Sequence, residues 1–456
     1  MKISIIGTGY VGLVTAACLA EAGNMVICVD VDEQKIALLN SGKVTIHEPG
    51  LPQLIARNRR AGRLAFMTGY EEAVRHAEVI FLAVGTPSEE DGSADLTHIL
   101  DAARLVGRHL RRPAVIVNKS TVPVGTTVRV RTAIAEELAA RRIDIAFSVV
   151  SNPEFLREGS AVSDFMHPDR IVLGYDDTEA AGIMRELYIP FLQQREQLIE
   201  IDTQSAELSK YAANVMLATR ISLMNELACL AEAVGADIEA VRRCIAADAR
   251  IGPLCLQAGI GYGGSCLPKD VKALIRTSAQ YGCTPHLLKA TDAVNEKQKS
   301  VLFRKICSHY GGARRLEGKT IALWGLAFKP NTGDMREAPS LALIEQLLGA
   351  WCRIRACDPV ACDEATRILQ AAYGSEKFAE RIHLTRDPWD AVDGADALVL
   401  VTEWKEFRAP DFGRLAAGLN DKVVFDGRNL YDPHAVQAAG LRYYGIGRKA
   451  WRTQGG

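Results

Sequence analysis

The stretch Lys2–Asp30, KISIIGTGYVGLVTAACLAEAGNMVICVD, decides the fold of the chain that carries it. A short apolar run leads into glycines at 7, 9 and 12, a helix-like segment follows, and a second apolar run ends on an acid. The order is strand, glycine turn, helix, strand. In G-x-G-x-x-G register Gly7 permits the turn, Gly9 lets backbone approach a pyrophosphate, and Gly12 lets the helix pack close to the strand. Tyr10 and Val11 lie inside that register, at the helix start whose amides hold an anion. Asp30, eighteen residues beyond Gly12, stands where a carboxylate takes ribose hydroxyls and repels a 2′-phosphate, so NAD is expected over NADP. The competing reading is a tight turn in a purely structural fold. Lys35 either assists the adenosine end or is a solvated helix lysine.

Working outward, AEVIFLAVGTP and AVIVNKSTVPVG are further apolar strands that end in small and hydroxyl residues. Strands alternating with helices imply a parallel sheet covered on both faces. Ligands of such sheets bind beyond the carboxyl ends of the strands, which puts Thr86, Ser120 and Thr121 beside nicotinamide and substrate. Ordinary turn chemistry is the alternative for all three. This first domain is expected to span residues 1–200.

From Thr203 to about Val234 the pattern becomes one long helix, with Gly235 as its stop. Leu208, Val215, Leu223, Leu227 and Leu230 do not fall on one narrow stripe, and Met216, Leu217, Met224 and Ala231 widen the apolar surface. A helix apolar on more than one side is buried on more than one side, as a connector and as a dimer core. Residues 201–314 therefore read as a central helical dimerisation region. Residues 315–456 alternate again, through KTIALWGLAFKPNTGD, CRIRACDP, ADALVLVTEW and KVVFDGRN. This is a second doubly wound, Rossmann-like domain, with Asp358 in the place of Asp30 but without the full glycine fingerprint, so it should take a different ligand. The closing RTQGG is expected to be disordered.

Composition removes several classes of partner. A formal net charge of −1 in 456 residues gives no global field for nucleic acid or an anionic membrane. No apolar run approaches the ~20 residues of a membrane span. The N-terminal apolar stretch imitates a short secretory signal, but cleavage there would destroy the glycine loop. Eleven cysteines, odd in number and without tight pairing, read as reduced thiols of a cytoplasmic protein. Cys352, Cys357 and Cys362 have gaps that do not match zinc patterns, so no metal is expected.

The stretch GIGYGGSCLPKD, from Gly259 to Asp270, raises a different chemistry. Cys266 precedes Leu267-Pro268, and proline favours the first turn of a helix. A cysteine at a helix N-terminus beside Lys269 sits where positive potential favours the thiolate, whereas most cysteines are inert core residues. The glycines before it admit a ligand to the backbone. Asp270 is either functional or a favourable first-turn acid. Lys210 and Asn214, four apart on the long helix, face the same way, and a buried pair of this kind needs a polar object to contact.

These segments, with NKSTVPVGTT, NPEFLREGSAVSDFMHPDRIV, KYAANVMLATRISLMNE and GLAFKPNTGDMREAPS, resemble the nucleotide-sugar dehydrogenase family, in its UDP-glucose branch, over nearly the whole chain. The resemblance implies oxidation of a sugar's primary alcohol to a carboxylate with two NAD. Cys266 would be the nucleophile that traps the aldehyde as a thiohemiacetal and then a thioester. Lys210 and Asp270 would handle protons through an ordered water, Lys210 and Asn214 would stabilise oxyanions, Glu154 would be the general base for thioester hydrolysis, and Thr121 would position water. The nucleotide sugar would meet Val150, Ser151, Asn152, Pro153, Glu154, Phe155, Leu156 and Arg157, together with Lys210 and Asn214. It would also meet the loop Gly259, Ile260, Gly261, Tyr262 and Gly263, then Phe328, Lys329 and Arg428, with Arg250 reaching across a dimer interface. Lys269 and Arg336, with Ser120, Thr121 and Glu154, would contact NAD. GDP-mannose and UDP-N-acetylmannosamine branches carry the same chemistry on other sugars. Rival readings are a two-electron hydroxyacid dehydrogenase and a catalytically silent NAD-binding regulator.

Overall fold

The computed structural model describes residues 1–89 and 91–449, so the RTQGG segment lies outside the described residues. The chain forms two compact units, one of Met1–Ala213 with Arg276–Tyr281, the other of Asn214–Ile275 with residues from Gly282 onward.

The first unit is built on an eight-stranded sheet: β1 Lys2–Ile6, β2 Met25–Val29, β3 Leu64–Met67, β4 Val79–Leu82, β5 Ala114–Asn118, β6 Phe147–Ser151, β7 Ile171–Gly174 and β8 Leu198–Ile201. Its order is β3-β2-β1-β4-β5-β6-β7-β8. Every neighbouring pair is parallel except β6 and β7, which meet antiparallel at Ser151 and Gly174. Successive residues of the central strands feed opposite faces. Ile3, Ile5, Val79, Phe81, Val115 and Val117 enter one core, while Ile6, Ile80, Leu82 and Ile116 enter the other. Continuous apolar runs are therefore what these strands require.

The second unit repeats the plan with six parallel strands: β9 Thr320–Trp324, β10 Arg353–Cys357, β11 Ile382–Thr385, β12 Ala397–Leu400, β13 Val423–Asp426 and β14 Arg442–Tyr444. Their order is β11-β10-β9-β12-β13-β14. Both sheets thus share the doubly wound arrangement in which the order reverses beside the first strand, leaving a crevice at the strand ends. The expected fold class stands: two Rossmann-like units and a long helix.

That helix runs Thr203–Val234. Its Met224, Ala228 and Ala231 enter the core of the second unit. Met216, Leu223, Leu230 and Val234 are instead more than half exposed. Of its two apolar sides, one is therefore covered within the chain. Cys229 is exposed as well. Near the helix start, buried Glu207 accepts bonds from the Gly125 amide at 2.6 Å and from the Thr127 amide and hydroxyl at 2.7 Å. It thereby caps the helix Thr126–Ala140 from a distant part of the chain. None of the eleven cysteines is in a disulfide. Among the described residues no helix is long and apolar enough to cross a membrane.

Candidate active site

The glycine turn of the first unit is forced by space. Gly7 has φ +105°, and a Cβ there would lie 2.4 Å from the Ala83 carbonyl oxygen. A Cβ on Gly12 would lie 2.0 Å from the Gly7 carbonyl oxygen. Gly9 differs, because a Cβ on it meets nothing within 4 Å. It heads the helix Tyr10–Glu21 with no side-chain cap, so no cap side chain takes the first-turn amides of Tyr10 and Val11, which are donors of the kind a pyrophosphate accepts from.

Asp30 follows β2 and turns its carboxylate back to the turn. One oxygen accepts the Thr8 amide at 2.8 Å and the Thr8 hydroxyl at 2.6 Å; the other accepts the Asp32 amide at 3.1 Å. The latter keeps a lone pair for a ribose hydroxyl. Burial pushes this carboxyl up, but the Thr8 and Asp32 bonds and the charge of Lys35 outweigh it and hold Asp30 below the usual range. Lys35 lies 3.5 Å from Asp30, so it is neither freely solvated nor in a helix-surface pair. These residues fit NAD.

At the ends of β4 and β5 the hydroxyl of Thr86 donates to the Thr121 carbonyl at 2.8 Å, and that of Ser120 donates to the Val84 carbonyl at 2.8 Å. The three residues are brought together, with two hydroxyl protons committed to backbone and the oxygens left as acceptors.

From β6 the chain enters Val150–Arg157. Asn152 is buried and donates to the Val172 carbonyl at 2.8 Å. Beyond Pro153, Glu154 accepts the Leu156 amide at 2.6 Å and pairs with the Lys210 ammonium at 2.8 Å, both side chains being about 95% buried. Burial alone would push Glu154 up; the charge and hydrogen bond of Lys210, the Leu156 amide and the charge of Lys119 together hold it below the usual carboxylate range. Lys210 thus has the polar partner its burial demands. The Phe155 ring lies 3.8 Å from the Arg170 guanidinium and 5.5 Å from the Lys210 ammonium. Arg157 is exposed and pairs with Asp164 at 2.6 Å.

Two buried residues here escaped the sequence reading. Glu48 accepts from the Tyr10 hydroxyl and, at 2.7 Å, from the Gly159 amide, tying the glycine turn to the segment after Glu154. It sits in HEPG, a loop with no periodic signal. Lys119, between Asn118 and Ser120, is 5% exposed and reads in the sequence as part of a hydroxyl-rich turn.

In the second unit Cys266 stands immediately before the helix Leu267–Gln280, and its carbonyl accepts the Asp270 amide at 2.8 Å. The thiol is half-buried, 3.5 Å from the Ser265 hydroxyl. Asp270 is fully buried. Asn214 donates to one of its oxygens at 2.6 Å, and the Lys269 ammonium lies 3.0 Å from the other at an angle poor for a hydrogen bond. The thiol therefore heads a helix whose first turn carries a buried, paired carboxylate.

The glycines before Cys266 were expected to admit a ligand; protein atoms crowd four of them. A Cβ would lie 3.1 Å from the Gly427 carbonyl oxygen at Gly259, 2.9 Å from the Asn295 side chain at Gly261, 2.4 Å from the Glu337 carbonyl oxygen at Gly263, and 2.7 Å from the Phe328 ring at Gly264. Between them Ile260 and Tyr262 are buried. The Asn295 amide clamps Tyr262, accepting its N–H at 2.8 Å and donating to its carbonyl at 3.1 Å. Close packing against Gly427, Asn295, Glu337 and Phe328 is thus a reason for glycine at these positions in addition to any ligand. Phe328 has Lys329 5.3 Å above its ring. Arg428 donates to the Phe328 carbonyl at 3.2 Å and the Val401 carbonyl at 2.7 Å, and pairs with Glu403. Arg336 offers its carbonyl to the Gly264 amide at 2.8 Å while its side chain pairs with Asp334. Arg250 stands apart, its side chain 89% exposed and paired with Asp248.

Comparison with known proteins follows this division. The UDP-glucose/GDP-mannose dehydrogenase family matches through its NAD binding domain over residues 1–192, its central domain over 204–297 and its UDP binding domain over 322–433. The chain is 50% identical over 448 residues to a UDP-glucose 6-dehydrogenase of Pseudomonas aeruginosa, covering 98% of each chain. It is 45% identical over 450 residues to one of Bacillus subtilis, covering 99% of this chain and 98% of that one. A UDP-glucose dehydrogenase structure from Pyrobaculum islandicum superposes with a TM-score of 0.88 at 37% identity, over 99% of this chain and 98% of that one. A glycine turn and strand-end acid shaped for NAD, in a chain matched from end to end, make this protein an NAD-dependent oxidoreductase belonging to the UDP-glucose/GDP-mannose dehydrogenase family.

Proposed function

We propose that this chain oxidises UDP-glucose to UDP-glucuronate, consuming two NAD and one water per sugar. The observation that carries the reading is Cys266 at the head of its helix, followed in the first turn by buried Asp270 held by Asn214. The names and identities of the relatives support the choice of sugar. NAD, when bound, supplies the hydride acceptor for each of the two oxidations. Gly7, Gly9, Tyr10, Val11, Gly12 and Asp30 hold it, with Lys35, Thr86, Ser120, Thr121, Lys269 and Arg336 in supporting contacts.

The chain's own residues do the rest. Removing a hydride from the alcohol also requires removing its hydroxyl proton, which passes through water to Lys210 and Asp270. The Cys266 thiolate then adds to the aldehyde: an S–C bond forms, the carbonyl oxygen becomes an alkoxide, and Lys210 and Asn214 donate to it. The thiohemiacetal keeps a C–H, so a second oxidation gives a thioester. Glu154 takes a proton from the water that attacks it, Thr121 positions that water, and the C–S bond breaks to release carboxylate and restore the thiolate. A two-electron dehydrogenase has no use for the thiol.

The chain divides by role into 1–200 for NAD, 201–314 for dimerisation and the cysteine loop, and 315–456 for the UDP-sugar. Val150–Arg157, Gly259–Gly263, Phe328, Lys329 and Arg428 serve the nucleotide sugar. The exposed seam of Met216, Leu223, Leu230 and Val234, repeating at seven and four residues, fits a second copy of this helix, and Arg250 serves the partner's site. The eleven cysteines outside disulfides suit a reducing cytoplasm.

The test counts NADH formed per sugar consumed, with UDP-glucose, GDP-mannose and UDP-N-acetylmannosamine offered separately. Two per UDP-glucose is expected, and a ratio near one sinks the reading. Cys266→Ser should stop or stall after the first oxidation.

A further inference from the structure

The buried pair Glu154–Lys210 has a third charged neighbour in Lys119, just beyond β5. Its ammonium lies 3.1 Å from the Asn152 side-chain oxygen and 3.5 Å from the Tyr188 hydroxyl, with the Phe165 and Tyr188 ring centres each 5.8 Å away. Tyr188 donates to the same Asn152 oxygen at 2.5 Å. Because the Asn152 amide nitrogen is spent on the Val172 carbonyl, its oxygen is fixed toward the lysine.

The lysine is therefore held by neutral oxygens, and among the described residues no carboxylate lies within ion-pair distance of it. The charges it faces are Glu154 and Lys210; Tyr188, which burial pushes up, stays neutral. Two ammonium groups thus face one carboxylate, all three side chains being buried, an arrangement that burial opposes and that packing alone does not explain. Burial brings Lys119 down to about 8, against which the charge of Glu154 acts, while Lys210 pushes the same way as burial.

We propose that Lys119 is a positioning residue that keeps Glu154 a carboxylate when Lys210 turns its proton toward the substrate. Once Lys210 donates to an oxyanion, it neutralises Glu154 less, and burial favours a protonated acid that cannot accept a proton from water. The ammonium of Lys119, anchored by Asn152 and Tyr188, is the charge that remains. The inference rests on the general-base role given to Glu154 above.

Lys119→Met and Lys119→Arg, compared with the unaltered enzyme, test it by the pH profile of kcat and by rapid mixing with UDP-glucose and NAD. Lys119→Met should move the acidic limb of kcat upward by about one pH unit, roughly a tenfold loss on that side. It should keep a fast burst of two NADH per site before a slow steady state, with KM for UDP-glucose within about threefold, because the oxidations precede the step that needs Glu154. Lys119→Arg should restore the limb. An acidic limb that stays in place, or a burst that falls together with the steady state, overturns the proposal. If Lys119→Met does not fold, Tyr188→Phe loosens the anchor without removing charge, and a limb unmoved in that variant overturns it equally. A wild-type yield of one NADH per UDP-glucose defeats the underlying reading; a yield of two with an unmoved limb defeats the role of Lys119 alone.

Discussion

Asp30 and Asp358 occupy the same position in two sheets of the same order and are used in opposite ways. Each follows the second strand of its unit, beside a glycine that ends the first. Gly7 and Gly325 have φ of +105° and +99°, and a Cβ on either would come within 2.4 Å of a residue one or two beyond the neighbouring strand, Ala83 or Thr402. The amide of Gly7 donates to the Val29 carbonyl and that of Gly325 to the Cys357 carbonyl, both at 2.8 Å. Beyond the glycine the units part. The helix after Gly7 starts at Tyr10, and the helix after Gly325 starts only at Pro339, after a long loop. Asp30 accepts from Thr8 and Asp32 and keeps an oxygen for a ligand. Asp358 is fully buried and accepts the amides of Leu326, Ala327, Val360 and Ala361 and the indole N–H of Trp404, all within 2.7–3.0 Å. One turn is left open for a cofactor; the other has turned its acid into an internal brace.

The largest effect should therefore come from Asp358→Ala. It leaves four amides and an indole N–H without their acceptor in a dry interior, at a cost of about 3–5 kcal/mol. Denaturant unfolding followed by tryptophan fluorescence measures it. A loss below about 1 kcal/mol would show that the brace is dispensable and the two acids more alike than their bonds imply.

Asp30→Ala should act next, and on a different quantity. Its surroundings are partly open, so stability should fall by no more than about 1–2 kcal/mol, while KM for NAD rises about 10–100-fold and the preference over NADP narrows. Steady-state kinetics with both cofactors separates the outcomes. If the variant instead unfolds as readily as Asp358→Ala with its NAD affinity unchanged, the assignment of an open and a closed turn fails.

This comparison also marks how far local sequence carries. The glycine register, Asp30 and the central strands were legible because each is written within a few residues: a turn that only glycine can make, and runs buried on both faces. The long helix was legible to its ends for the same reason. The edge strands Leu64–Met67, Ile382–Thr385 and Arg442–Tyr444 were not singled out, since each is only partly buried and mixes exposed residues into a short run. Glu48, Lys119 and Glu207 were invisible because their partners lie far along the chain; Glu48 meets Gly159 across 111 residues and Glu207 meets Thr127 across 80. The site's thiol was legible as chemistry, whereas its glycines were given a ligand's role that the packing of Phe328 and Glu337 shares. Proximity in sequence reports turns and periods, and it is silent about which buried acid closes on which amide.

The smallest effects sharpen the comparison best, because a matched pair of phenols serves a buried acid in each unit. Tyr10 donates to Glu48 beside the open turn, and Tyr443 donates to Asp426 at 3.0 Å beneath the second sheet's end. Tyr10→Phe and Tyr443→Phe each remove one oxygen and little volume, and each should cost about 1–2 kcal/mol, the worth of a hydrogen bond to a charged group. Burial raises Asp426, with the amides of Tyr431 and Arg428 and the Tyr443 hydroxyl opposing it. The folded state therefore binds that proton more tightly than the unfolded one, so the cost of the carboxylate grows as pH climbs from the ordinary carboxyl range through the raised value. The loss in Tyr443→Phe should accordingly be full above the raised value and shrink as pH falls through it toward the ordinary carboxyl range, with KM for NAD unmoved. Tyr10→Phe should instead raise that KM about two- to fivefold, since Glu48 then keeps the Gly159 amide but loses its bond to the glycine turn. Equal and purely structural losses in the two variants would mean that the phenol at the open turn does no more for the cofactor than its counterpart does under a sheet that has none.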